Sequence, residues 1–256
     1  MVAVVTGRMT VFAFLLLFLV ILVYLVIIQG ERRKKFFPIR RLPAMDASEE
    51  AVGRAVEMGR PIHYTPGTAV LTRMEAPQTL AALSILGYVA GLAARNGARI
   101  ITTCQMPEVF PMVFEVVREA FIAEDKLDMF VEEDMIFLPQ LKAAAGLMQR
   151  EKVAANFLIG AFWHESLVLA EAGAAAGAIN IGGVATMHQL PFLVACCDYC
   201  LIGEELFAAS AYITKDPVMT STIAGQDYIK FITLALIILG TLLSTLGLPQ
   251  LRNLFG

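Results

Sequence analysis

Residues 157–183, FLIGAFWHESLVLAEAGAAAGAINIGG, contain the pattern that decides the fold. The apolar residues 157–162 predict a short buried strand, and residues 167–176 predict a helix that Gly177 ends. Residues 178–181 predict a second strand, closed by Gly182 and Gly183. Because a strand, a helix and a strand in this order form the crossover unit of a parallel sheet, the stretch predicts an α/β fold.

The same alternation extends in both directions from this unit. Further strands are predicted at residues 62–65, 99–103, 135–138 and 199–202. The helices that alternate with the strands are predicted at residues 76–95, 109–125, 141–155, 187–196 and 204–213. An additional helix is predicted to begin at a capping box, Asp46 to Glu49, and to end at Gly59. Six short apolar strands predict a Rossmann-like parallel sheet with helices on both faces.

Two uncharged apolar segments, residues 11–28 and 231–248, flank this region. Each is close to the about 20 residues that cross a hydrocarbon core of about 30 Å. The first could also be a signal peptide, but its apolar run exceeds the usual about 7–15 residues and no small-residue cleavage site follows it. We therefore expect two transmembrane helices, at residues 10–30 and 229–248.

Basic residues predict the orientation of the chain. Arg32, Arg33, Lys34 and Lys35 follow the first apolar segment, whereas only Arg8 precedes it. Because basic residues beside a span stay in the cytoplasm, we expect a cytoplasmic membrane protein with both termini outside. The expected segments are an outer tail (1–9), a membrane helix (10–30), a basic linker with a short helix (31–61), a cytosolic domain (62–228), a second membrane helix (229–248) and an outer stub (249–256).

The composition excludes several classes of protein. Hydrophobic residues make up 57% and charged residues 17% of the chain, so it is too apolar for a disordered protein. The balance of 20 basic and 23 acidic residues, net charge −3, excludes nucleic-acid binding driven by charge. Four cysteines in 256 residues do not make a secreted disulfide scaffold. The expected partners are the lipid bilayer, further copies of this chain and other membrane proteins.

The carboxyl ends of the predicted strands collect candidate site residues, because ligands of open α/β sheets bind there. The candidate ligand-binding residues are Thr65, Gly67, Thr103, Gly182, Gly183, Glu204 and Glu205. His164 and Glu165 are candidates for an acid/base pair, since a carboxylate can orient a neighbouring imidazole. The alternative is that these residues only end strands and form turns. The sequence identifies no cofactor and no set of metal ligands.

Familiar catalytic motifs are missing from the sequence. It contains no G-x-G-x-x-G after a strand, no P-loop, no H-E-x-x-H and no G-x-S-x-G. Cys197 and Cys200 form a C-x-x-C, which is either a redox pair or half of a zinc site. No second C-x-x-C exists, and a place between a helix and a strand favours a structural role for these cysteines.

Small residues predict helix association. Gly240 and Ser244 share one face of the second apolar segment, as do Thr241 and Thr245. Small residues at this spacing let two membrane helices approach closely, so these four are the candidate association residues of a homo-oligomer. The alanine-rich stretch 172–178 either packs on the sheet or forms a second contact between subunits.

Several stretches together resemble a known family. They are residues 50–67, 181–183, 197–199, 202–206, 208–212 and 225–228, and the most specific part is 197–228. The chain is similar to a family of prokaryotic membrane proteins catalogued only as a domain of unknown function. The resemblance implies a soluble domain followed by a membrane helix, and it supplies no activity, substrate or catalytic residue.

Two functional hypotheses follow. The first is a membrane-tethered scaffold module that self-associates or docks partners. The second is a membrane-bound enzyme or ligand sensor that uses the crevice at the carboxyl ends of the strands.

Overall fold

The computed structural model describes residues 14, 17, 18, 20, 21, 24, 25, 42–68, 70–214 and 217–245. The chain divides into two compact units. One unit is Arg40–Thr214, and the other combines Met1–Ile39 with Lys215–Gly256. The helix that precedes the first strand belongs to the Arg40–Thr214 unit.

The Arg40–Thr214 unit alternates strands and helices. Its strands are β1 (Ile62–Gly67), β2 (Ile100–Cys104), β3 (Met135–Phe137), β4 (Ala155–Ala161), β5 (Ile179–Val184) and β6 (Tyr199–Ile202). Its helices are α1 (Pro43–Met58), α2 (Ala76–Asn96), α3 (Phe110–Ala123), α4 (Ala144–Glu151), α5 (Glu165–Ala176), α6 (Leu190–Cys196) and α7 (Glu205–Thr214). Short 3₁₀ turns lie at Leu127–Met129, Glu132–Asp134 and Leu141–Ala143. In the second unit the structure describes α8 (Pro217–Thr245) and seven positions within residues 14–25.

The six strands form one parallel sheet in the order β3-β2-β1-β4-β5-β6, which confirms the predicted α/β fold. This is the strand order of the Rossmann fold. Helices α1, α2, α3 and α7 share the larger apolar core on one face, and α4, α5 and α6 cover the other face. The central strands β1 and β4 are buried along their whole length, as strands covered on both faces should be.

Two predicted boundaries differ from the structure. Helix α1 begins at Pro43, with Leu42 as its N-cap, so Asp46 lies in the first turn and is no capping residue. Proline suits this position because its missing N–H would have no partner in the first turn. Strand β5 continues to Val184, because Gly182 and Gly183 pair with Leu158 and Ile159 of β4.

The two halves of the sheet repeat the same local structure 80 positions apart. Gly97 ends α2 and Gly177 ends α5, both in the left-handed conformation. After β2, the Val109 N–H donates to Met106 O over 3.1 Å, and after β5 the Gln189 N–H donates to Thr186 O over 3.1 Å. Each turn leads into a helix with proline in its first turn. The loops after β2 and β5 are therefore equivalent places in the two halves.

The described residues contain one helix with the length and hydropathy of a membrane span, α2, and 67% of its most apolar window is buried in the α/β unit. The expectation of two transmembrane helices is thus not met within this part of the chain. Most of the first predicted span, residues 10–30, lies outside the described residues. The second, residues 229–248, is described as part of α8 up to Thr245.

Candidate functional site

The direction of winding reverses between β1 and β4, which are neighbours at the centre of the sheet. The chain leaves β1 towards β2 on one side and leaves β4 towards β5 on the other. Ligands of open α/β sheets bind outside the carboxyl ends of the strands at such a reversal. We call this region the switch-point edge and define it by the segments 65–68, 70–79, 104–108, 161–166 and 185–189.

Two glycines hold β1 and β4 together at this edge. Gly67 has φ +84° and Gly160 has φ +129°, both in the region that favours glycine. A Cβ on Gly67 would overlap the carbonyl oxygen of Ala161, and a Cβ on Gly160 would overlap that of Pro66. The Thr68 N–H donates to Ala161 O over 2.8 Å and extends the pairing. Backbone atoms of β1 and β4 therefore fill this part of the edge, which requires glycine at both positions.

Gln78, in the first turn of α2, crosses the edge to the loop after β5. Its side-chain oxygen accepts a hydrogen bond from the Ala185 N–H over 3.0 Å. Its amide nitrogen donates to the Thr186 hydroxyl over 3.0 Å. The start of α2 is thereby fixed to the carboxyl end of β5, two strands away from β1.

Helix α5 begins at the opposite side of the edge with His164 and Glu165. The His164 side chain is 70% exposed, and its Nε2 lies 3.3 Å from Oε1 of Glu165, whose side chain is only 13% exposed. The next residue, Ser166, donates its hydroxyl to Gln189 Oε1 over 3.1 Å. Trp163 packs its ring against His188, with ring centroids 5.6 Å apart. The side chains of His164 and Glu165 are thus in contact, and the histidine faces solvent.

Several buried oxygens at or near this edge have no hydrogen-bond partner. Within the described part of the chain, the unpartnered buried side-chain oxygens are Thr65 Oγ1, Thr79 Oγ1, Thr102 Oγ1, Gln105 Oε1 and Glu165 Oε2. Each such group costs about 1–3 kcal/mol, and a charged one costs more. Thr79, Gln105 and Glu165 follow the carboxyl ends of β1, β2 and β4. Unused hydrogen-bonding capacity is therefore present at the edge where ligands of this fold bind.

The other predicted site residues have different places. Gly182 and Gly183 lie inside β5, where their missing side chains make room for Cys197 and Leu201. Thr103 lies within β2 and is fully buried. Glu205 accepts a hydrogen bond from the Ile202 N–H over 3.1 Å at the end of β6, and Glu204 precedes it in the same turn. Gly182, Gly183 and Thr103 therefore belong to the interior of the sheet.

The structure also contains a polar row that the sequence analysis did not identify. His63 of β1, Asn156 of β4 and Asn180 of β5 are paired across the sheet and fully buried. His63 Nδ1 lies 2.7 Å from Asn156 Oδ1, and Asn156 Nδ2 donates to Asn180 Oδ1 over 2.8 Å. His63 Nε2 lies 2.9 Å from the Thr103 hydroxyl. The sequence signal that these three residues share is their position, since each is the second residue of its strand.

The contacts of Asn156 fix the protonation of His63. Since the Asn156 amide nitrogen donates to Asn180 and to Leu169 O, its oxygen must accept from His63 Nδ1–H. Nε2 then accepts from the Thr103 hydroxyl, and the ring is neutral. Burial lowers the pKa of His63 to about 4. The row is therefore a neutral structural network and no proton donor at neutral pH.

No group of three or more His, Cys, Asp and Glu side chains is placed to hold a metal ion among the described residues. Comparison with known proteins adds a family and no activity. No curated protein and no solved structure matches the chain. Residues 2–255 match the family described as Domain of unknown function, DUF6754, so the match spans nearly the whole chain and confirms the expected resemblance to a domain of unknown function. This chain belongs to the DUF6754 family.

Proposed function

We propose that this chain is a membrane-tethered, self-associating α/β module that acts as a structural or scaffold component at the cytoplasmic face of a membrane. The observation that carries the proposal is the apolar surface of α8. The large apolar side chains described between positions 231 and 242 are all exposed: Phe231, Ile232, Leu234, Leu236, Ile237, Ile238 and Leu242.

A helix with this surface needs an apolar environment. Burying one such side chain stabilises by about 1.5–3 kcal/mol, so seven of them represent on the order of 10 kcal/mol. A helix that is apolar on all sides has no polar face to turn to water. Helix α8 has 29 residues, or about 44 Å at 1.5 Å per residue, and a bilayer core is about 30 Å thick. A lipid bilayer therefore fits the exposed apolar side chains at 231–242, and α8, which carries Asp227 and Lys230 before them, is long enough to cross its core.

The amino-terminal segment supports the same proposal. Its described apolar side chains are exposed at Phe14, Leu17, Phe18, Ile21 and Leu25. A Cβ on Gly225 would lie 3.1 Å from the ring of Tyr24, so this ring lies against α8 where the helix has no side chain. Contact between the two apolar segments supports a helical hairpin as the membrane anchor.

The test is a set of three reporters placed in the full chain. They check the orientation that the basic residues after the first apolar segment predict. Reporters before Met1 and after Gly256 should be active only outside the cytoplasm. A reporter fused after Thr214, at the end of α7, should be active only inside it. A cytoplasmic signal from either terminus would overturn the proposed topology.

A second candidate function is a membrane-bound ligand sensor or enzyme at the switch-point edge. The unpartnered Glu165 Oε2 favours it, together with the unpartnered oxygens of Thr79 and Gln105. Carboxylate and amide oxygens accept hydrogen bonds, so the fitting ligand carries N–H donors or a positive charge. This describes a small amine better than a phosphate or a carboxylic acid.

Trp163 provides the readout for this second candidate. It is the one tryptophan of the chain, and it lies half-exposed beside His164 and Glu165. Titration of the full chain with small primary amines should change its fluorescence, whereas inorganic phosphate and acetate should not. The same titration of Glu165→Gln should give at least a tenfold weaker response, with Glu171→Gln on the exposed side of α5 as the control.

A further inference from the structure

Two cysteines meet at the β6 edge of the sheet, away from the switch-point edge. Cys197 is the C-cap of α6, and Cys200 is the second residue of β6. The chain bends at Asp198 between them, and the Asp198 carboxylate accepts a hydrogen bond from the Asn180 N–H over 2.8 Å. The bend is thereby held against β5.

Three contacts show that the two sulfur atoms are neighbours. Leu193 O accepts a hydrogen bond from the Cys197 N–H over 2.8 Å and from the Cys200 thiol over 3.4 Å. Gly182 is opposite Cys200 in the β5–β6 register, and a Cβ on Gly182 would lie 2.9 Å from Cys197 Sγ. Both sulfurs therefore lie on the same side of these two strands.

The two thiols also interact directly. Interaction between the two thiols lowers the pKa of Cys200 and raises the pKa of Cys197. Both residues are partly exposed, whereas Cys104 is buried. A thiolate that is stabilised by a neighbouring thiol and reached by solvent is the reactive form of cysteine.

We propose that Cys197 and Cys200 form a reactive dithiol that a small-molecule disulfide oxidises to an intramolecular disulfide. The Cys200 thiolate attacks one sulfur of the disulfide, whose S–S bond breaks, and the leaving thiolate takes up a proton. Cys197 then loses its proton and attacks the Cys200 sulfur of the mixed disulfide, and a second small thiol leaves. Two protein thiols are oxidised, and one small disulfide is reduced to two thiols.

The proposed order of attack follows the directions of the two pKa shifts. Cys200, whose pKa is lowered, attacks first, and Cys197, whose pKa is raised, is the resolving residue. Closing the bond requires the two sulfurs to approach to about 2.05 Å. The new bond would tie the end of α6 to the edge strand β6. This inference does not depend on the proposed membrane scaffold role.

The experiment uses the full chain in mild detergent, treated with oxidised glutathione, alkylated under denaturing conditions and analysed as peptides. In the wild type, the peptide with Cys197 and Cys200 should lose two hydrogens and escape alkylation, while Cys104 should be alkylated. Reduction with excess glutathione should restore both thiols.

Three variants separate the roles of the cysteines. Cys200→Ser should abolish the disulfide, and Cys197→Ser should stop at a glutathione adduct on Cys200. Cys196→Ser, the matched control in the same segment, should be oxidised as the wild type is. Alkylation of both Cys197 and Cys200 in the treated wild type would overturn the proposal. So would an adduct on Cys197 in preference to Cys200.

Discussion

His63 is fully buried, yet both of its ring nitrogens have a partner. The Asn156 side-chain oxygen accepts a hydrogen bond from Nδ1–H, and the Thr103 hydroxyl donates one to Nε2, so the neutral ring loses no hydrogen bond on folding. A second proton would leave a positive charge in the interior, opposite a hydroxyl that already donates. Burial therefore favours the neutral ring, which is why the pKa of His63 falls to about 4.

This pKa predicts how stability depends on pH. Between pH 6.5 and 4 the unfolded chain binds a proton at His63 that the folded chain does not bind, so the free energy of unfolding rises with pH. The stabilisation is complete above pH 6.5 and is lost as the pH falls towards 4. The fall of the His63 pKa from 6.5 to about 4 corresponds to about 3 kcal/mol.

The measurement is thermal unfolding of the full chain in detergent between pH 4 and 7, with NMR titration of the three histidines. His164→Gln, which changes an exposed ring, should retain the same pH dependence. A His63 resonance that titrates near pH 6.5 would contradict the prediction.

Glu165→Gln should stabilise the chain. The buried Oε2 has no partner in the described structure, and replacing a carboxylate by an amide removes the cost of burying part of a charge. We expect the free energy of unfolding to rise by about 1 kcal/mol. A gain in stability is typical of a residue kept for binding. Thermal unfolding at pH 7 checks this, and a loss of more than about 1 kcal/mol would make Glu165 a structural residue.

At the scale of elements, α5 lies unusually close to the sheet. Gly173 has no side chain where α5 crosses the polar row. In the same part of the helix, Leu169 O accepts a hydrogen bond from the Asn156 amide, and Ala170 O accepts one from the Asn180 amide. A Cβ on Gly173 would lie 2.5 Å from Asn156 Nδ2 and would overlap Asn180 Oδ1. The glycine therefore allows the helix backbone to serve as a hydrogen-bond partner for the strands.

Gly173→Ala should destabilise the chain by about 2–4 kcal/mol, because it breaks buried hydrogen bonds that outweigh the better helix propensity of alanine. The matched control is Gly146→Ala in α4, where a Cβ meets nothing within 4 Å. That variant should be up to about 1 kcal/mol more stable. Equal thermal unfolding temperatures for the two variants would contradict the prediction.

The elements themselves were predictable because their signals are local. Short, mainly apolar runs, most of them beside glycine or proline, predicted all six strands, and Gly59, Gly97 and Gly177 end helices as expected. The end of β5 was not predictable, since two glycines end a strand unless a neighbouring helix needs the space above them. That requirement comes from Leu193 and Cys197 of the next helix, which approach Gly182 only once the helix packs on the sheet.

The whole molecule sets which residues share a site. The strand order places β1 beside β4, and no local pattern contains this information. His164 and Glu165 could be predicted because they directly follow a strand, and so could Gly67. The contact of Gln78 with Thr186 could not be predicted, because it joins two segments more than 100 positions apart. The polar row was missed for the same reason.

Assembly is the last prediction at this scale. Thr241 donates its hydroxyl to Ile237 O over 2.7 Å and Thr245 donates to Thr241 O over 2.8 Å, so both hydroxyls are satisfied within α8. They can therefore lie in an apolar seam without an unpaired polar group. Gly240 and Ser244 are the other two candidate association residues, and the structure does not describe their side-chain environment. We expect a homo-oligomer, since the proposed membrane anchor would give every copy the same orientation and raise the rate of lateral encounter.

Gly240→Leu should weaken this assembly, because the added side chain separates helix backbones that small residues bring together. Ile238→Leu, a change of shape at an exposed position two residues away, is the matched control and should assemble as the wild type does. The measurement is the molar mass of the full chain by light scattering across a dilution series in mild detergent. The wild type and Ile238→Leu should remain oligomers on dilution, whereas Gly240→Leu should dissociate at a concentration at least tenfold higher.

A monomeric wild type at micromolar concentration would rule out self-association, and an unchanged Gly240→Leu would move the contact away from this face of α8. In the second case the alanine-rich helix α5 becomes the surface to substitute next, at its exposed positions Ala174 and Ala175.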